Sequence, residues 1–194
     1  MHAPETVPTP RLTLRRPVAA DAEAIFAYTS DPAVTRLLGW PQHTTVADTQ
    51  DFLRFSDQAW AAGPGPYVIV DGGAVVGSTG LEVETPPRAA TGYVLAQRVW
   101  GRGYATEVAG AMVGLAAELG IGRLYALCHT ENRASARVLA KAGFACEGVL
   151  RRHTVFPNVD PTSAQGLECW PKLAPCRRRC CGRRAGRRTA HRAT

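Results

Sequence analysis

The sequence predicts a mixed α/β domain: a central, twisted, mixed but mostly antiparallel sheet flanked by helices. Three observations carry that expectation. Apolar runs of strand length and stripes of helical spacing follow one another in the order β-α-α-β-β-β-α-β-α-β. Two middle strands are joined by Asp71-Gly72-Gly73, a tight hairpin turn, whereas the later strands are separated by helix-length segments that carry the chain across a sheet. The chain has 194 residues, 45% of them apolar and 20% charged, enough for one packed core. No apolar run reaches the roughly 18 residues of a membrane span. The opening MHAPETVPTP has neither a basic nor an apolar leader segment, so a cytoplasmic location is expected.

Residues 1–10 hold three prolines and read as a loose arm. Arg11 to Arg16 alternates as a strand and stops at Pro17, and Asp21 caps a first helix that Asp31-Pro32 breaks. Thr44 or Thr45 caps a second helix, about Val46 to Ala62, with Phe52, Phe55, Ala59 and Trp60 inward, until Gly63-Pro64-Gly65-Pro66 ends it. Tyr67 to Val70 and Ala74 to Val83 form the hairpin, and Thr91 to Ala96 the next strand. Ala105, Val108, Ala109, Met112, Ala116 and Leu119 recur at helical spacing. Arg123 to His129 is a strand, Asn132 to Ala142 a helix capped by Asn132 and stopped by Gly143, and Phe144 to Arg152 a strand. The domain is expected over 11–171. Beyond Pro157 few strand signals remain, and 172–194 reads as a basic, disordered tail.

That tail carries nine of the 23 basic residues and no acidic one, leaving 14 basic against 16 acidic residues in the body. The net charge of +7 therefore belongs to the tail. Arginines neutralise phosphates, so a nucleic-acid role through this segment is one reading, although aromatics for specific recognition are sparse. Of the six cysteines, Cys128 and Cys146 are expected buried and reduced, while Cys169, Cys176, Cys180 and Cys181 crowd the end without metal-ligand spacing. No metal is expected.

Trp100-Gly101-Arg102-Gly103-Tyr104-Ala105 lies between a strand and a helix. A glycine-rich turn there exposes backbone N–H groups at a helix N-terminus, which is an anion cradle or an ordinary strand-to-helix turn. It is neither Gly-x-x-x-x-Gly-Lys-Ser/Thr nor Gly-x-Gly-x-x-Gly, since Thr106 stands at the last position. The frame Trp100-x-x-Gly103-x-Ala105 resembles the acyl-coenzyme A loop of the GNAT N-acetyltransferases, Gln/Arg-x-x-Gly-x-Gly/Ala, with Trp in place of the leading Gln/Arg. Trp is found there in the branch similar to ribosomal-protein N-terminal acetyltransferases. His129 to Phe144 (HTENRASARVLAKAGF) resembles a later segment of that branch, in family order and spacing.

The resemblance spans about residues 10–157. It implies the GNAT fold and acetyl transfer from acetyl-CoA to a primary amine, by a monomer or a homodimer. It also implies donor contacts at Leu95, Ala96, Gln97, Arg98, Gly101, Arg102, Gly103, Tyr104, Ala105, Thr106, Asn132 and Ser135. A tyrosine used by many members is Leu139 here, which leaves Ser135 as candidate donor to the leaving thiolate.

Read on its own, Ser135 shares one helix face with Val138, Leu139 and Ala142, and its hydroxyl has either a task or a bond to its own backbone. A backbone N–H near Leu95 is the candidate donor to the thioester oxygen. Tyr104 and Tyr125 are further acid candidates or packing residues. Glu82 and Glu84 share one face of a strand, where they take the amine proton, bind a cationic acceptor or simply meet water. His153 is a further base candidate. Arg133, Arg137 and Lys141 form a basic stripe, and Arg98 and Arg102 near the loop are preferred for a phosphate. Three function classes thus remain: an acetyltransferase, a coenzyme-binding module without turnover, and a nucleic-acid-associated protein acting through its tail.

Overall fold

The computed structural model describes residues 2–85 and 88–174. Eight strands form one sheet: β1 (Thr6–Pro8), β2 (Thr13–Arg15), β3 (Pro66–Asp71), β4 (Ala74–Val83), β5 (Arg88–Leu95), β6 (Arg123–His129), β7 (Gly148–Phe156) and β8 (Asp160–Leu173). Their order is β1-β2-β3-β4-β5-β6-β8-β7, antiparallel throughout except for the parallel pair β5–β6. The helices are α1 (Ala22–Thr29), α2 (Pro32–Thr35), α3 (Val46–Ala62), α4 (Tyr104–Glu118) and α5 (Arg133–Lys141). No helix among the described residues is long and apolar enough to cross a membrane.

Strand parity distributes the helices. Ser78 of β4 lies beside Tyr28 of α1, whereas Tyr93 of β5, opposite Thr79, meets Ser135 of α5. Successive residues of a strand face opposite sides, so α1 with α3 covers one face and α4 with α5 the other. Consequently β3 is buried on both sides, with Tyr67, Val68 and Ile69 all inaccessible. The β3–β4 turn uses Gly72 and Gly73 at φ of 55° and 90°, the left-handed pair that a two-residue hairpin requires.

Several expectations are corrected. The expected loose arm is ordered from residue 2: β1 pairs with β2, Ala3 is buried, and the Tyr67 hydroxyl donates to Pro4 O at 2.7 Å. Asp21 stands at the N-cap position of α1 as expected, but its side chain makes no bond to the helix; the carboxylate takes a bidentate pair of bonds from Arg15, both 2.7 Å, and one from Val18 N–H. On α3 the buried stripe is Thr49, Leu53 and Ser56, while Phe55 is 60% exposed. Phe52 and Trp60 pack on the core as expected, and the Trp60 indole donates to Pro66 O while its ring meets Tyr67 edge-on. Cys128 is buried as expected, but Cys146 is exposed.

The largest difference is β8. Residues 160–173 form the longest strand, inserted between β6 and β7. The strand passes Lys172, whose ammonium reaches Ala142 O and Gly143 O at the C-terminus of α5. The expectations on Cys176, Cys180, Cys181 and the arginines from Arg177 onward lie outside the described residues.

Candidate active site

The site arises where the sheet parts. β5 pairs with β6 only from Arg88–Ala90 to Arg123–Tyr125. Beyond that, β5 stays with β4 as far as Leu95 and β6 stays with β8 as far as His129. The gap opens into a groove of about 2110 Å³. Tyr93, Val94 and Leu95 form one wall, Ala126 and Cys128 the other, and Ser135 and Leu139 of α5 stand behind.

At the groove's end the chain turns from β5 into α4. Gly101 and Gly103 have φ of 76° and 79°, values that a β-carbon disfavours. The first backbone bonds of α4 come from Thr106 and Glu107 N–H to Gly103 O, so the preceding amides of the turn have no intrahelical acceptor. With the helix dipole they make an anion site, on which Gly103, Ala105 and Thr106 front the groove. The expected donor-contact residues just before it serve the turn itself. Ala96 N–H donates to Val76 O at 2.8 Å, Gln97 O accepts from Trp100 N–H, and Leu95 O accepts from the Trp100 indole at 2.8 Å. Tyr104 is buried and donates to Asp71, which makes it a packing residue.

Of the two arginines preferred for a phosphate, Arg98 donates to Val75 O at 2.9 Å, whereas the Arg102 side chain is exposed beside the turn. Arg137 and Lys141 of the α5 stripe border the groove, and Arg133 lies 3.6 Å from Glu168.

Asn132 caps α5 by accepting Ser135 N–H at 3.0 Å. That bond sets the first turn of the helix and directs Ser135 into the gap, where its Oγ lies 3.0 Å from Tyr93 Oη. Tyr93 was not singled out by sequence reasoning. Burial pushes its phenol up to about 12, against a smaller opposing effect of the Ser135 contact. The pair is therefore protonated at neutral pH and is a hydroxyl donor unit. The Cys128 thiol stands next to it, its pKa raised by burial.

The two glutamates separate. Glu82 is exposed at the end of β4 and borders the groove. Glu84, beyond the strand, accepts from Tyr125 and pairs with Arg88. The Tyr125 bond above all holds the Glu84 carboxyl below its usual range, the opposite of what a general base needs. Tyr125 is committed to the same contact; burial, then the Glu84 bond, push it up to about 12. His153 is exposed and bonds its neighbour Thr154. His129, also unforeseen, is buried behind the groove; Nδ1 accepts Glu131 N–H at 3.1 Å, so Nε2 carries the proton 2.7 Å from Gln165. Both nitrogens being engaged, it positions β6 against β8.

With this geometry in view, the likeness to known proteins is informative. An acetyltransferase (GNAT) domain profile matches residues 11–145. The uncharacterized N-acetyltransferase YoaA of Bacillus subtilis (strain 168) is 32% identical over 159 residues, covering 79% of this chain and 89% of that protein. The uncharacterized N-acetyltransferase p20 of Bacillus licheniformis is 29% identical over 153 residues, covering 76% and 86%. Among solved structures, Mycobacterium smegmatis RimJ in complex with CoA-disulfide superposes with a TM-score of 0.79 at 23% identity, covering 90% of each chain. Together with the parted sheet and the glycine turn, these matches place the chain in the GNAT acetyltransferase family, as an acyltransferase with N-acetyltransferase activity.

Proposed function

We propose that the protein transfers the acetyl group of acetyl-CoA to the primary amine of a protein N-terminus or a small molecule, by direct attack in a ternary complex. The observation that carries this reading is the parted β5–β6 pair, which joins an anion site at one end to a half-buried hydroxyl pair in the middle. The residues present suit the donor. The turn amides and α4 N-terminus suit a pyrophosphate, the apolar walls suit a pantetheine arm, and Arg102, Arg137 and Lys141 suit an outer phosphate. RimJ, which shares the fold, was solved with a coenzyme A disulfide.

In the reaction the amine nitrogen attacks the thioester carbon, and the carbon–sulfur bond breaks. A backbone N–H near Leu95 donates to the oxygen as it gains charge. Ser135 donates a hydrogen bond to the departing sulfur and is itself supported by Tyr93. Glu82 takes the amine's proton or holds the acceptor cation before that proton leaves.

Thermal unfolding of the full chain with acetyl-CoA tests the donor. A ligand at about 100 times its Kd adds about 2.7 kcal/mol, which for a chain of this size raises the midpoint by about 5–10 °C. No shift in folded protein overturns the reading. In an amine screen that follows, Glu82→Gln is expected to lower kcat/KM for the amine on the order of 10²-fold and to leave the KM for acetyl-CoA unchanged. An equal effect on both substrates assigns Glu82 to structure instead.

A further inference from the structure

The glycine turn is held from behind by a residue of the N-terminal segment. Arg11 Nη1 donates to Arg102 O at 2.8 Å, and Arg11 Nε donates to Glu107 Oε2 at 2.7 Å. The guanidinium lies 4.8 Å from the centre of the Tyr104 ring, and that ring is fixed in turn by the Tyr104–Asp71 bond. One side chain thus grips the turn, the first residue of α4 and Glu107 in that helix's first turn together. The arrangement is half-exposed at Arg11 and nearly buried at Glu107, whose side chains are 49% and 10% accessible.

Two consequences follow. In a trans peptide the carbonyl and the next N–H point in opposite directions. Holding Arg102 O toward Arg11 therefore turns Gly103 N–H away from the N-terminal segment, toward the groove that Gly103 borders. The second concerns charge. Burial raises the pKa of Glu107, but bonds from Thr9, Arg11 N–H and the Arg11 guanidinium outweigh it, and the group stays ionised. A carboxylate in the first turn of α4 repels an anion at that helix end. The Arg11 charge cancels this repulsion without itself facing the groove.

We propose that Arg11 is a positioning residue for the donor's pyrophosphate: it aims Gly103 N–H at the anion site and neutralises Glu107 beside it. The proposal rests on the acetyl-CoA reading above. It concerns one part of the donor, and that makes it separable from a general loss of stability.

Titration calorimetry on the full chain, with CoA and with pantetheine, tests it. Pantetheine keeps the thiol arm and lacks the pyrophosphate. Arg11→Ala is expected to raise the Kd for CoA about tenfold and to leave the Kd for pantetheine unchanged, the scale of one hydrogen bond from a charged group. Arg11→Lys retains the charge beside Glu107 and the folded state but lacks the fork that also reaches Arg102 O. It is expected to weaken CoA at least about threefold, and it carries the test should the alanine variant fail to fold. Unchanged CoA binding in Arg11→Ala, equal weakening of CoA and pantetheine, or full restoration by Arg11→Lys each overturns the positioning role. Wild-type protein that binds neither ligand overturns the donor reading itself, a separate outcome.

Discussion

A chain ending at Pro157 is expected not to fold, whereas one ending at Ala174 unfolds at the full-length temperature. The difference is β8. Its residues from Leu167 to Leu173 pair with β6 on one side, and those from Asp160 to Cys169 pair with β7 on the other. Removing it strips an interior strand, detaches β7 and exposes both Phe156 and the far side of β6. At about 1 kcal/mol net per backbone bond, a loss on the order of ten such bonds matches the whole stability of a typical domain, about 5–15 kcal/mol. Among the described residues, the last backbone bond lies just past β8, from Ala174 N–H to Gly122 O at 2.9 Å, and the longer cut keeps it. Circular dichroism melts of the two truncated chains decide the matter. A cooperative transition in the Pro157 chain, or a drop of more than about 5 °C in the Ala174 chain, contradicts this account.

β8 was hard to read for a physical reason. Its run DPTSAQGLECWPKL has neither clean alternation nor a β-branched core, and Pro171 argues against a central strand. The strand is stabilised instead by pairing on both edges, which depends on residues far away in sequence. The same limit hid β1, whose three residues gain order only by pairing with β2. Features encoded locally were legible: the Gly72–Gly73 hairpin, the Asn132 cap, the positive-φ glycines before α4, and β6 with its boundaries intact. Within the site, Ser135 came from the family resemblance, since its helix face alone fits a bond to its own backbone as well, and Tyr93 was not singled out at all. Nothing in GYVLAQ shows that alternate residues of β5 look toward α5 at the height of Ser135, because that requires the crossing of strand and helix. Glu82 and Glu84 show the converse. Parity grouped them, yet Tyr125 and Arg88, brought in from β6 and from the start of β5, engage only Glu84.

Ser135→Ala is expected to lower kcat on the order of 10²-fold with little change in the KM for acetyl-CoA, because its hydroxyl serves a charge that exists only as the sulfur leaves. The chemistry of the pair decides what form that service takes. A phenol raised to about 12 stands some 3.5 units above an ordinary thiol near 8.5, so full proton transfer to the sulfur is uphill by about 5 kcal/mol. In the proposed reaction the pair therefore acts by hydrogen bonding, not as a complete acid. Acidity sets the direction in the proposed reaction: with the phenol, the stronger acid, as donor across the 3.0 Å contact, the serine proton is left for the sulfur. Solvent supplies the proton that the product thiol finally carries. Tyr93→Phe should then cost about tenfold in kcat, and the double variant should be no slower than Ser135→Ala alone, since the phenol acts only through the serine. Because the phenol stays protonated, the pair produces no alkaline loss of kcat below about pH 10. Steady-state kinetics with saturating amine separate the alternatives. A loss confined to KM makes the pair a binding feature of the donor arm. Multiplying losses in the double variant would show two independent contacts, and the relay from Tyr93 through Ser135 would fall.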